Sequence, residues 1–600
     1  MFVLNNPYTK DGLTLRGIKW AFSADLFYNS VNADYWQPIT FLVRMVTIQL
    51  FGTNSFAHHF LNILLHALNT ILLFLILFRA TKKPWQSAFA AAAFSFHPIQ
   101  VESVCWVTNL KGVLSAFFGL LATHTYFSYA KKEKKKYYWA TFLLLVLGMM
   151  CKPTLLTIPF LFLFFDFWPL KRASLADFNL EKWKNLFWEK RAFFAVSVFP
   201  LFLAWFGRSA IMDNLNSSFQ FSNIPGNFIR FIWRVIYPIQ FAILSAVQPE
   251  PHVFELAGAT ILLIWISILV IHELKNRPYL LTGWAWFVLS FLPTIPNVPE
   301  DRFAYFPIVG LFLMVAWGIP DFLKDFKPNK FLLGALSVLM IGWYGIFSRI
   351  QIGYWRSSVA LFEHALEVDP TNSRAYNNLA SALASQGSLE KAIEYYTKAL
   401  WLKPDHAKVH NNLAIILANQ GKTSVAKFHY KAAIQSDPLM AEAYFNLAAV
   451  LMDEKKYDEA ISYYRKSIEI DPENYSGVSG IGAVYVRQEK YELAIPYFLK
   501  ALAINPGFAA AHHDYGLALA KLGRLKEATE QFTEAIRLQP DFASAHNKLG
   551  VTLALQGRFD EALFHLKECL RITPFDKDAA HNLETLTKDR ERNQVTAKLN

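Results

Sequence analysis

Cysteine is scarce in this 600-residue chain, and the short motifs of soluble enzymes are missing from it. Its three cysteines, Cys105, Cys151 and Cys569, stand far apart in sequence, so no disulfide framework is implied. No glycine-rich phosphate loop, nucleophile elbow or zinc spacing occurs, which leaves a soluble-enzyme interpretation without support. The first residues, MFVLNNPYTKDGLTLRG, also lack the basic and apolar regions of a signal peptide.

Apolar and aromatic residues are abundant instead. They make up 54% and 16% of the chain, with 53 phenylalanines, and this composition predicts membrane helices. A formal net charge of +12 would also suit a nucleic-acid-binding protein. The positive residues lie in short clusters between apolar runs, however, as membrane topology signals do. We therefore expect a multi-pass membrane protein and no nucleic-acid partner.

The membrane-length apolar runs fall before residue 350, and ten segments are predicted to cross the membrane: 55–78, 86–105, 112–129, 137–150, 154–170, 192–207, 256–273, 279–295, 304–322 and 331–349. The basic clusters that separate them lie at 79–83, 131–136, 171–191, 275–277 and 324–330. Placing these clusters in the cytoplasm puts the following parts on the other side: 1–54, 97–111, 208–255, 296–303 and the chain after 350. Segment 226–245, which carries Arg230 and Arg234, is predicted as an interfacial or re-entrant helix.

The second half of the chain is an internal repeat. Prolines recur every 34 residues, at positions 370, 404, 438, 472, 506, 540 and 574, and this is the period of tetratricopeptide (TPR) repeats. Position 20 of each repeat is alanine and position 8 is alanine or glycine, so two helices can approach closely. We predict six TPRs, at 373–406, 407–440, 441–474, 475–508, 509–542 and 543–576. A half repeat at 355–372 precedes them, and a capping helix with a tail at 577–600 follows.

Asparagine recurs at position 6 of the first helix in three successive repeats, at Asn378, Asn412 and Asn446. A carboxamide both donates and accepts, so a row of asparagines on the concave face of the array can bind an extended peptide backbone of any sequence. Asparagine is also common at this position of TPRs in general, where it serves packing between repeats. Both interpretations stay open, and the first predicts a protein or peptide partner.

The membrane half also resembles a known family. Four stretches carry the resemblance: YWQPITFLVRMVTIQLFGTNSFAHHFLNILLHALNTILLF, SAFAAAAFSFHPIQVESVCWV, LGMMCKPTLLTIPFLFLFFDFWPLKR and DRFAYFPIVGLFLMVAWG. They are similar, in this order, to TPR-containing membrane glycosyltransferases of the GT-C, protein O-mannosyltransferase-like superfamily. The resemblance covers about residues 2–350. It implies an all-α fold in which a polytopic GT-C-like transmembrane domain, 55–350, is followed by an α-solenoid of TPR repeats.

The resemblance further implies a reaction and a location. A sugar carried on a polyprenyl phosphate would pass to an acceptor, such as a protein hydroxyl, on the non-cytoplasmic face of the membrane. The lipid-linked sugar is then the donor substrate and a second partner, and no separate cofactor or metal is expected. We expect an integral membrane protein of a bacterial inner membrane rather than of the endoplasmic reticulum, with its TPR domain on the non-cytoplasmic side.

That chemistry suggests roles for polar residues beside the membrane. The acceptor hydroxyl needs a carboxylate to take its proton, and Glu102 is the catalytic candidate. The departing phosphate needs cations or oriented donors, and the candidates for substrate binding are His97, Lys111, Lys152, Asp301 and Arg302. The structural alternative is that Asp301 pairs with Arg302 and that Lys152 extends from a helix end towards water. Ionisable groups near a membrane are costly, which favours function.

The chain departs from the family pattern in ways that bear on activity. Family members usually carry an acidic pair just upstream of the stretch that matches FVLNN, so we expect the reading frame to extend before Met1 with one more membrane helix and that pair. Gln37, Arg44 and Thr47 stand where His, His and Asp are expected, and TNLKG replaces a charged run. These departures indicate a divergent donor or acceptor, or lost activity. The alternative function is a catalytically degenerate, membrane-anchored TPR scaffold for protein–protein interaction.

The predicted span 55–78 has a polar stripe at helical spacing: His58, His59, Asn62, His66 and Asn69. A metal site is one interpretation, but no carboxylate accompanies these side chains. Hydrogen bonding and packing between helices is the favoured interpretation.

Overall fold

The computed structural model describes residues 8–10, 12–23, 36–173, 180–207, 224–239, 241, 243, 253–294, 300–324 and 330–599. Helices form its regular structure, and no strand occurs in these ranges, which confirms the all-α class. The chain divides into two compact units, Met1–Ala382 and Leu383–Asn600. The first unit contains the apolar segments and the half repeat.

The helices of the first unit are α1 Leu15–Phe22, α2 Pro38–Phe51, α3 Ser55–Thr81, α4 Pro84–Phe96, α5 Gln100–Cys105, α6 Leu110–Lys132, α7 Lys135–Met149, α8 Ile158–Phe167, α9 Leu180–Glu189, α10 Arg191–Gly207, α11 Ile224–Ile236, α12 Val253–His272, α13 Pro278–Phe291, α14 Ile308–Phe322, α15 Lys330–Tyr354 and α16 Ser358–Val368. Short 3₁₀ turns lie at Val107–Asn109, Pro153–Thr157, Leu292–Thr294 and Asp301–Ala304. Parts of the predicted external segments lie outside the described residues, namely 1–7, 11, 24–35, 208–223, 240, 242, 244–252 and 295–299.

Within the part of the chain that the structure describes, three helices are long and apolar enough to cross a membrane: Ser55–Thr81, Phe254–His272 and Phe331–Tyr354. Shorter apolar helices lie at Pro38–Phe51, Pro153–Phe167 and Ile308–Phe322. Large apolar side chains face outward on the long helices; Phe254 is 89% exposed and Val338 is 72% exposed. Such a surface is unfavourable in water and compatible with lipid. The chain is therefore a membrane protein, as predicted.

Aromatic side chains fill much of the core of the first unit, among them Phe162, Trp286 and Phe312, each no more than 1% exposed. Helices α13 and α14 cross very closely, since a Cβ added at Gly310 would lie 2.2 Å from the carbonyl oxygen of Gly283. Small residues allow this kind of backbone approach in membrane bundles. The crossing fixes the start of α14, and with it the 3₁₀ turn at Asp301–Ala304 that precedes it.

The predicted span 86–105 ends earlier than expected. Helix α4 stops at Phe96, and His97 takes an extended conformation with φ −71° and ψ 131°. Pro98 is the physical reason, because a proline moves the residue before it out of the helical region. The short helix α5 then begins at Gln100, so Glu102 lies beyond the end of the apolar helix. The predicted N-terminal loop 1–54 also differs, because its described part contains α1 and α2.

The repeat array consists of helix pairs with the predicted period: α17 Ser373–Ser385, α18 Leu389–Leu402, α19 Ala407–Asn419, α20 Thr423–Ser436, α21 Ala441–Asp453, α22 Tyr457–Ile470, α23 Tyr475–Arg487, α24 Tyr491–Ile504, α25 Ala509–Lys521, α26 Leu525–Leu538, α27 Ala543–Leu555, α28 Phe559–Ile572 and α29 Lys577–Leu599. Small residues lie where the two helices of a repeat meet. A Cβ added at Gly482, for example, would lie 2.8 Å from the ring of Phe498. The close approach expected from the small residue at position 8 is thus present, and its neighbour is the large residue at position 24.

The turn between the two helices of a repeat adopts a left-handed conformation at position 15. Four glycines take it there, at residues 387, 421, 523 and 557, with φ between 75° and 81°. Lys455 and Glu489 occupy the same position in the third and fourth repeats, with φ of 62° and 61°. Only glycine adopts this conformation without steric cost, so these two turns carry local backbone strain.

Candidate active site

Three parts of the first unit, distant in sequence, meet around Glu102. Helix α5 carries Glu102 and packs against the 3₁₀ turn that follows Glu300. Two hydrogen bonds join these parts: Gln100 Nε2 donates to the carbonyl of Tyr305 over 3.3 Å, and Ser103 Oγ donates to that of Arg302 over 3.5 Å. Helix α11 supplies the third part. Because α4 ends before Pro98, the chain is able to turn and form this contact.

The charged groups at this place form a linked set of ion pairs. Arg234 from α11 pairs with Asp301, and Arg302 pairs with Glu300. Arg302 Nη1 also lies 3.8 Å from Glu102 Oε1. Asp301 and Arg302 therefore take partners from other positions, and the simple pairing of these two neighbours considered from the sequence is not what the structure shows. We call these five residues the Glu102 cluster.

The carboxyl groups of the Glu102 cluster are almost completely buried, with Glu102 5%, Glu300 7% and Asp301 2% exposed. Burial, followed by the charge of Asp301, raises the pKa of Glu102, although Arg302 acts in the opposite direction. Burial also raises the pKa of Asp301, against the attraction of Arg234. Among the described residues, Glu102 Oε1 accepts no hydrogen bond. A buried carboxyl group is suited to proton exchange when its pKa is raised and one of its oxygens accepts no hydrogen bond.

Aromatic rings and a third cation border the cluster. The Arg302 guanidinium lies 4.3 Å from the centroid of the Trp106 ring and 5.4 Å from that of Phe303. The Nζ of Lys152, a residue that is only 5% exposed, lies 5.0 Å from the same Phe303 ring. Cation–π contacts of this kind fix the positions of cations that have little water around them. Arg302 and Lys152 thus both contact the Phe303 ring, and Arg302 links this ring to Glu102.

His97 and Lys111, the other two predicted site residues of this half, are placed differently. His97 is fully buried; its Nδ1 accepts from the backbone N–H of Ile99, so its Nε2 donates to the carbonyl of Val235 over 3.1 Å. Both ring nitrogens are engaged, and the residue fastens the Pro98 turn to α11 directly after Arg234. Lys111 lies half-buried in the first turn of α6. His97 therefore positions the Glu102 cluster rather than joining it.

Polar side chains of α2 and α3 support the loop next to Glu102. Asn62 Nδ2 donates to the carbonyl oxygens of Val104 and Trp106, each over 3.2 Å, and Arg44 Nη2 donates to the carbonyl of Thr108 over 2.9 Å. In the same stripe of α3, His66 Nδ1 lies 2.8 Å from the Tyr305 hydroxyl. The described residues contain no group of three metal-ligating side chains. These contacts are the interhelical hydrogen bonds that were favoured for the stripe.

Three residues in or next to the Glu102 cluster were not predicted as site residues from the sequence: Glu300, Arg234 and Trp106. Glu300 directly precedes two predicted site residues, and a third charge in so short a segment was a usable signal. Arg234 was assigned only to an interfacial helix, although an arginine on an apolar helix needs a partner. Trp106 carried no signal, because an aromatic residue in an apolar chain is most often part of the core.

The asparagines of the repeat array form hydrogen bonds between repeats. Asn446 Nδ2 donates to Asn411 Oδ1 over 3.0 Å, and Asn582 donates in the same way to Asn547 over 2.9 Å. Each bond joins position 6 of one helix to position 5 of the preceding repeat. Asn412 is half-buried, and Asn378 accepts from its neighbour Asn377 over 3.1 Å. The packing role considered for these amides is thus seen at Asn446.

Comparisons with protein families agree with both halves of the chain. Residues 38–205 match the family described as dolichyl-phosphate-mannose-protein mannosyltransferase. The repeat region matches tetratricopeptide families over 373–406, 441–474, 480–536, 516–557 and 543–576. The first match contains Glu102 and Lys152 and ends before Arg234.

Individual proteins are also similar to this chain. Human protein O-mannosyl-transferase TMTC4 is 23% identical over 432 residues, which are 61% of this chain and 58% of that protein. For human protein O-mannosyl-transferase TMTC1 the identity is 24% over 458 residues, 66% of this chain and 51% of that protein. The chain thus spans between about half and three-fifths of the length of these curated relatives. A solved structure, YrrB, described as a TPR protein with an unusual peptide-binding site, is 30% identical with a TM-score of 0.25, covering 32% of this chain and 97% of YrrB. A stretch similar to protein O-mannosyltransferases is therefore joined to tetratricopeptide repeats in this chain, which confirms the resemblance predicted from its sequence.

Proposed function

We propose that this chain is a membrane glycosyltransferase that moves a sugar from a polyprenyl phosphate to a protein hydroxyl group. The observation that carries the proposal is a buried carboxyl group, Glu102, beside Arg302, with Lys152 on the same Phe303 ring as Arg302. Glu102 and Lys152 both belong to the stretch that matches mannosyltransferases. The names of the relatives suggest mannose as the sugar and proteins as the acceptors.

In this reaction the acceptor oxygen forms a bond to the anomeric carbon while the bond from that carbon to the phosphate oxygen breaks. Glu102, in its ionised form, takes the proton of the acceptor hydroxyl. Because the pKa of Glu102 is raised, its ionised fraction increases as the pH rises above the ordinary range of a glutamate. We therefore expect transfer to become faster with rising pH until Glu102 is fully ionised.

The released polyprenyl phosphate keeps the electron pair of the broken bond and gains negative charge. Arg302 and Lys152 are placed on the same Phe303 ring and stabilise that charge in the proposal. Arg302 must then exchange its contact with Glu300 for one with the phosphate. Arg234 stays with Asp301 and keeps that neighbouring carboxylate compensated.

We place this site on the non-cytoplasmic side of the membrane, together with the TPR array. The support is the alternation of the basic clusters, each of which fits the cytoplasmic side. A reporter that is active only in the cytoplasm, fused after Asn600, gives no signal if the assignment is right and a strong signal if it is wrong.

The TPR array is proposed to bind the protein acceptor or a partner through Asn378, Asn412 and Asn446. The recurrence of these amides supports this, and the bond to Asn411 uses one of the two amide hydrogens of Asn446. Replacing all three by alanine removes up to three hydrogen bonds of about 0.5–1.5 kcal/mol each. Peptide affinity should fall by roughly one to three powers of ten. An unchanged affinity at an unchanged melting temperature would assign the asparagines to packing alone.

One observation favours the alternative function, a membrane-anchored scaffold without activity. Both arginines of the Glu102 cluster already have carboxylate partners, Arg234 with Asp301 and Arg302 with Glu300. Arginines that already have carboxylate partners need no phosphate group. In that case the TPR array alone would carry the function, as an assembly surface.

A transfer assay with the full chain separates these two functions. The chain is reconstituted in vesicles with polyprenyl-phosphate mannose and a serine- and threonine-rich acceptor protein, and labelled acceptor is counted. Glu102→Gln should lower the rate by roughly 10²–10⁴-fold, whereas Glu390→Gln, a change of an exposed glutamate in α18, should leave it unchanged. Equal rates for wild type and Glu102→Gln would remove Glu102 from the mechanism. A wild type that binds acceptor and transfers no sugar would favour the scaffold.

A further inference from the structure

Two basic turns, about fifty residues apart in sequence, come together at one end of the first unit. The turn between α3 and α4 carries Arg79, Lys82 and Lys83, and the turn between α6 and α7 carries five lysines, at 131, 132, 134, 135 and 136. Lys131 Nζ donates to the carbonyl oxygen of Arg79 over 3.1 Å, so the two turns form one surface. All eight cations are exposed, and Glu133 is the one acidic residue in these turns. We call this surface the double-turn cluster.

The double-turn cluster is unfavourable for the chain itself. Burial and then the charges of Lys82 and Arg79 lower the pKa of Lys131, which shows that the cations repel one another. The residues at the ends of α3 and α6 gain from the helix dipole there. Lys83 and Lys134 are N-caps, however, and Lys135 begins a helix, where the dipole disfavours positive charge. A cytoplasmic topology signal explains the sign of these charges, but not their assembly into one surface.

A neighbouring group of charges shows what internal compensation looks like in the same unit. Lys190 pairs with Asp166 over 2.6 Å, and Arg172 pairs with Glu189 over 2.8 Å. The Tyr138 hydroxyl, two residues after the double-turn cluster, donates to the carbonyl of Glu189, so both groups lie at the same end of the bundle. Among the described residues, no ion pair joins the eight cations to a carboxylate. An anion from outside the chain can therefore bind these cations without displacing a carboxylate of the described residues.

Aromatic side chains beside the cluster indicate the depth at which that anion lies. Trp85 is 84% exposed and Trp139 is 58% exposed, and both lie within three residues of the basic turns. Lys132 and Lys136 lie 5.5 and 5.2 Å from the ring of Tyr137. Tryptophan and tyrosine in this setting are typical of the boundary between lipid tails and headgroups. The anion is thus expected at the headgroup level, with an apolar part for the tryptophans.

We propose that the double-turn cluster binds the headgroups of anionic phospholipids in the leaflet at this end of the bundle. Clusters of four to eight lysines and arginines next to a membrane helix bind such lipids, at about 1 kcal/mol for each cation. A free phosphate ion would satisfy the charge but would leave Trp85 and Trp139 without a partner. The site is independent of the proposed transfer reaction, since none of its residues takes part in it.

Lipid binding to the full chain in neutral detergent tests this proposal. The probes are short-chain phosphatidylglycerol, short-chain phosphatidylcholine and glycerol 3-phosphate, with affinities measured by thermophoresis. Wild type should prefer phosphatidylglycerol, and its affinity should fall with added salt. The variant replaces four lysines by glutamine, at 132, 134, 135 and 136, and keeps the Lys131 bond to Arg79. It should bind phosphatidylglycerol roughly 100- to 1000-fold more weakly, at about fivefold for each charge.

A control variant carries the same loss of four charges on the TPR surface, through Lys→Gln changes of exposed lysines at 391, 422, 526 and 567. Its affinity should equal that of wild type. Equal affinity of the two variants, or equal binding of phosphatidylcholine, would overturn the proposal. Glycerol 3-phosphate that binds as tightly as the lipid would also overturn it, in favour of a free-phosphate site. If the cluster variant does not fold, a salt-independent affinity of wild type is the result that refutes it.

Discussion

The Glu102→Gln variant should be more stable than wild type at pH 8 and about equally stable at pH 4. Burial and the charge of Asp301 raise the pKa of Glu102 above its ordinary value of 4.5. The folded state therefore keeps this proton to a higher pH than the unfolded chain does. Below pH 4.5 both states are protonated. As the pH rises from there through the folded-state value, wild type loses stability, while glutamine has no proton to lose.

The expected size follows from the surroundings of Glu102. A fully buried carboxyl group shifts by up to 3–5 pKa units, or about 4–7 kcal/mol. Arg302 Nη1 lies 3.8 Å from Glu102 Oε1, and its attraction offsets about 4 kcal/mol of this burial cost at an effective dielectric constant of 20. Repulsion from the negative charges of Asp301 and Glu300 makes this offset smaller. We expect a net gain of roughly 1–3 kcal/mol for the glutamine variant at pH 8.

Glu300→Gln is the matched control, because it removes the same charge from the same cluster. Glu300 is paired with Arg302, so this variant leaves a half-buried guanidinium with a weaker partner, and stability should fall by about 2–4 kcal/mol. Thermal unfolding in detergent, followed by tryptophan fluorescence at one scan rate, compares the three proteins between pH 4 and pH 8. A lower melting temperature of Glu102→Gln at pH 8, or a gain that is the same at both pH values, would refute the reasoning.

Two further predictions concern other parts of the chain. Glu489→Gly should stabilise the repeat array by about 1 kcal/mol, because φ at this residue is 61°. Gly523→Ala should destabilise the array by a similar amount, because φ is +76° there although an added Cβ meets no atom within 4 Å. Urea unfolding followed by circular dichroism measures both changes. Lys190→Met should lower stability by roughly 2–4 kcal/mol because it leaves the fully buried Asp166 without its partner at 2.6 Å. Adding Asp166→Asn should restore most of that loss in thermal unfolding, and a double variant no more stable than the single one would contradict this.

The repeat array was predictable from sequence because its contacts are local and recur with a fixed period. The glycine at position 8 of each of the last three repeats faces a large residue at position 24 of the same repeat, as Gly482 faces Phe498. The sequence also showed where the row of asparagines is interrupted, but it did not show why. Gly480 interrupts the row of asparagines, and a Cβ at this residue would lie 2.7 Å from the ring of Tyr464. Close packing against the preceding repeat thus explains the interruption.

The Glu102 cluster was predictable only in part, because its members are brought together by the fold of the membrane unit. Arg234 and Asp301 are 67 residues apart, and no periodic pattern relates them. The family resemblance indicated Glu102, Asp301 and Arg302, but an ion pair between distant helices leaves no trace in one sequence. The break at Pro98 had a local signal, the proline itself, and the prediction of a continuous span 86–105 overlooked it.

The two buried groups of charges in the membrane unit differ in a way that separates structure from chemistry. Around Asp166 two carboxylates face two cations, Arg172 and Lys190, and the Tyr126 hydroxyl donates to Asp166 over 2.7 Å. That group is balanced and fits a structural role.

The Glu102 cluster has three carboxyl groups for two guanidinium groups. Apolar side chains of similar size would be as stable as such a buried cluster, or more so, so stability does not explain why the charges are present. The surplus carboxyl group must hold a proton or leave a buried negative charge uncompensated. A site that takes up and releases a proton is what the proposed transfer requires of Glu102.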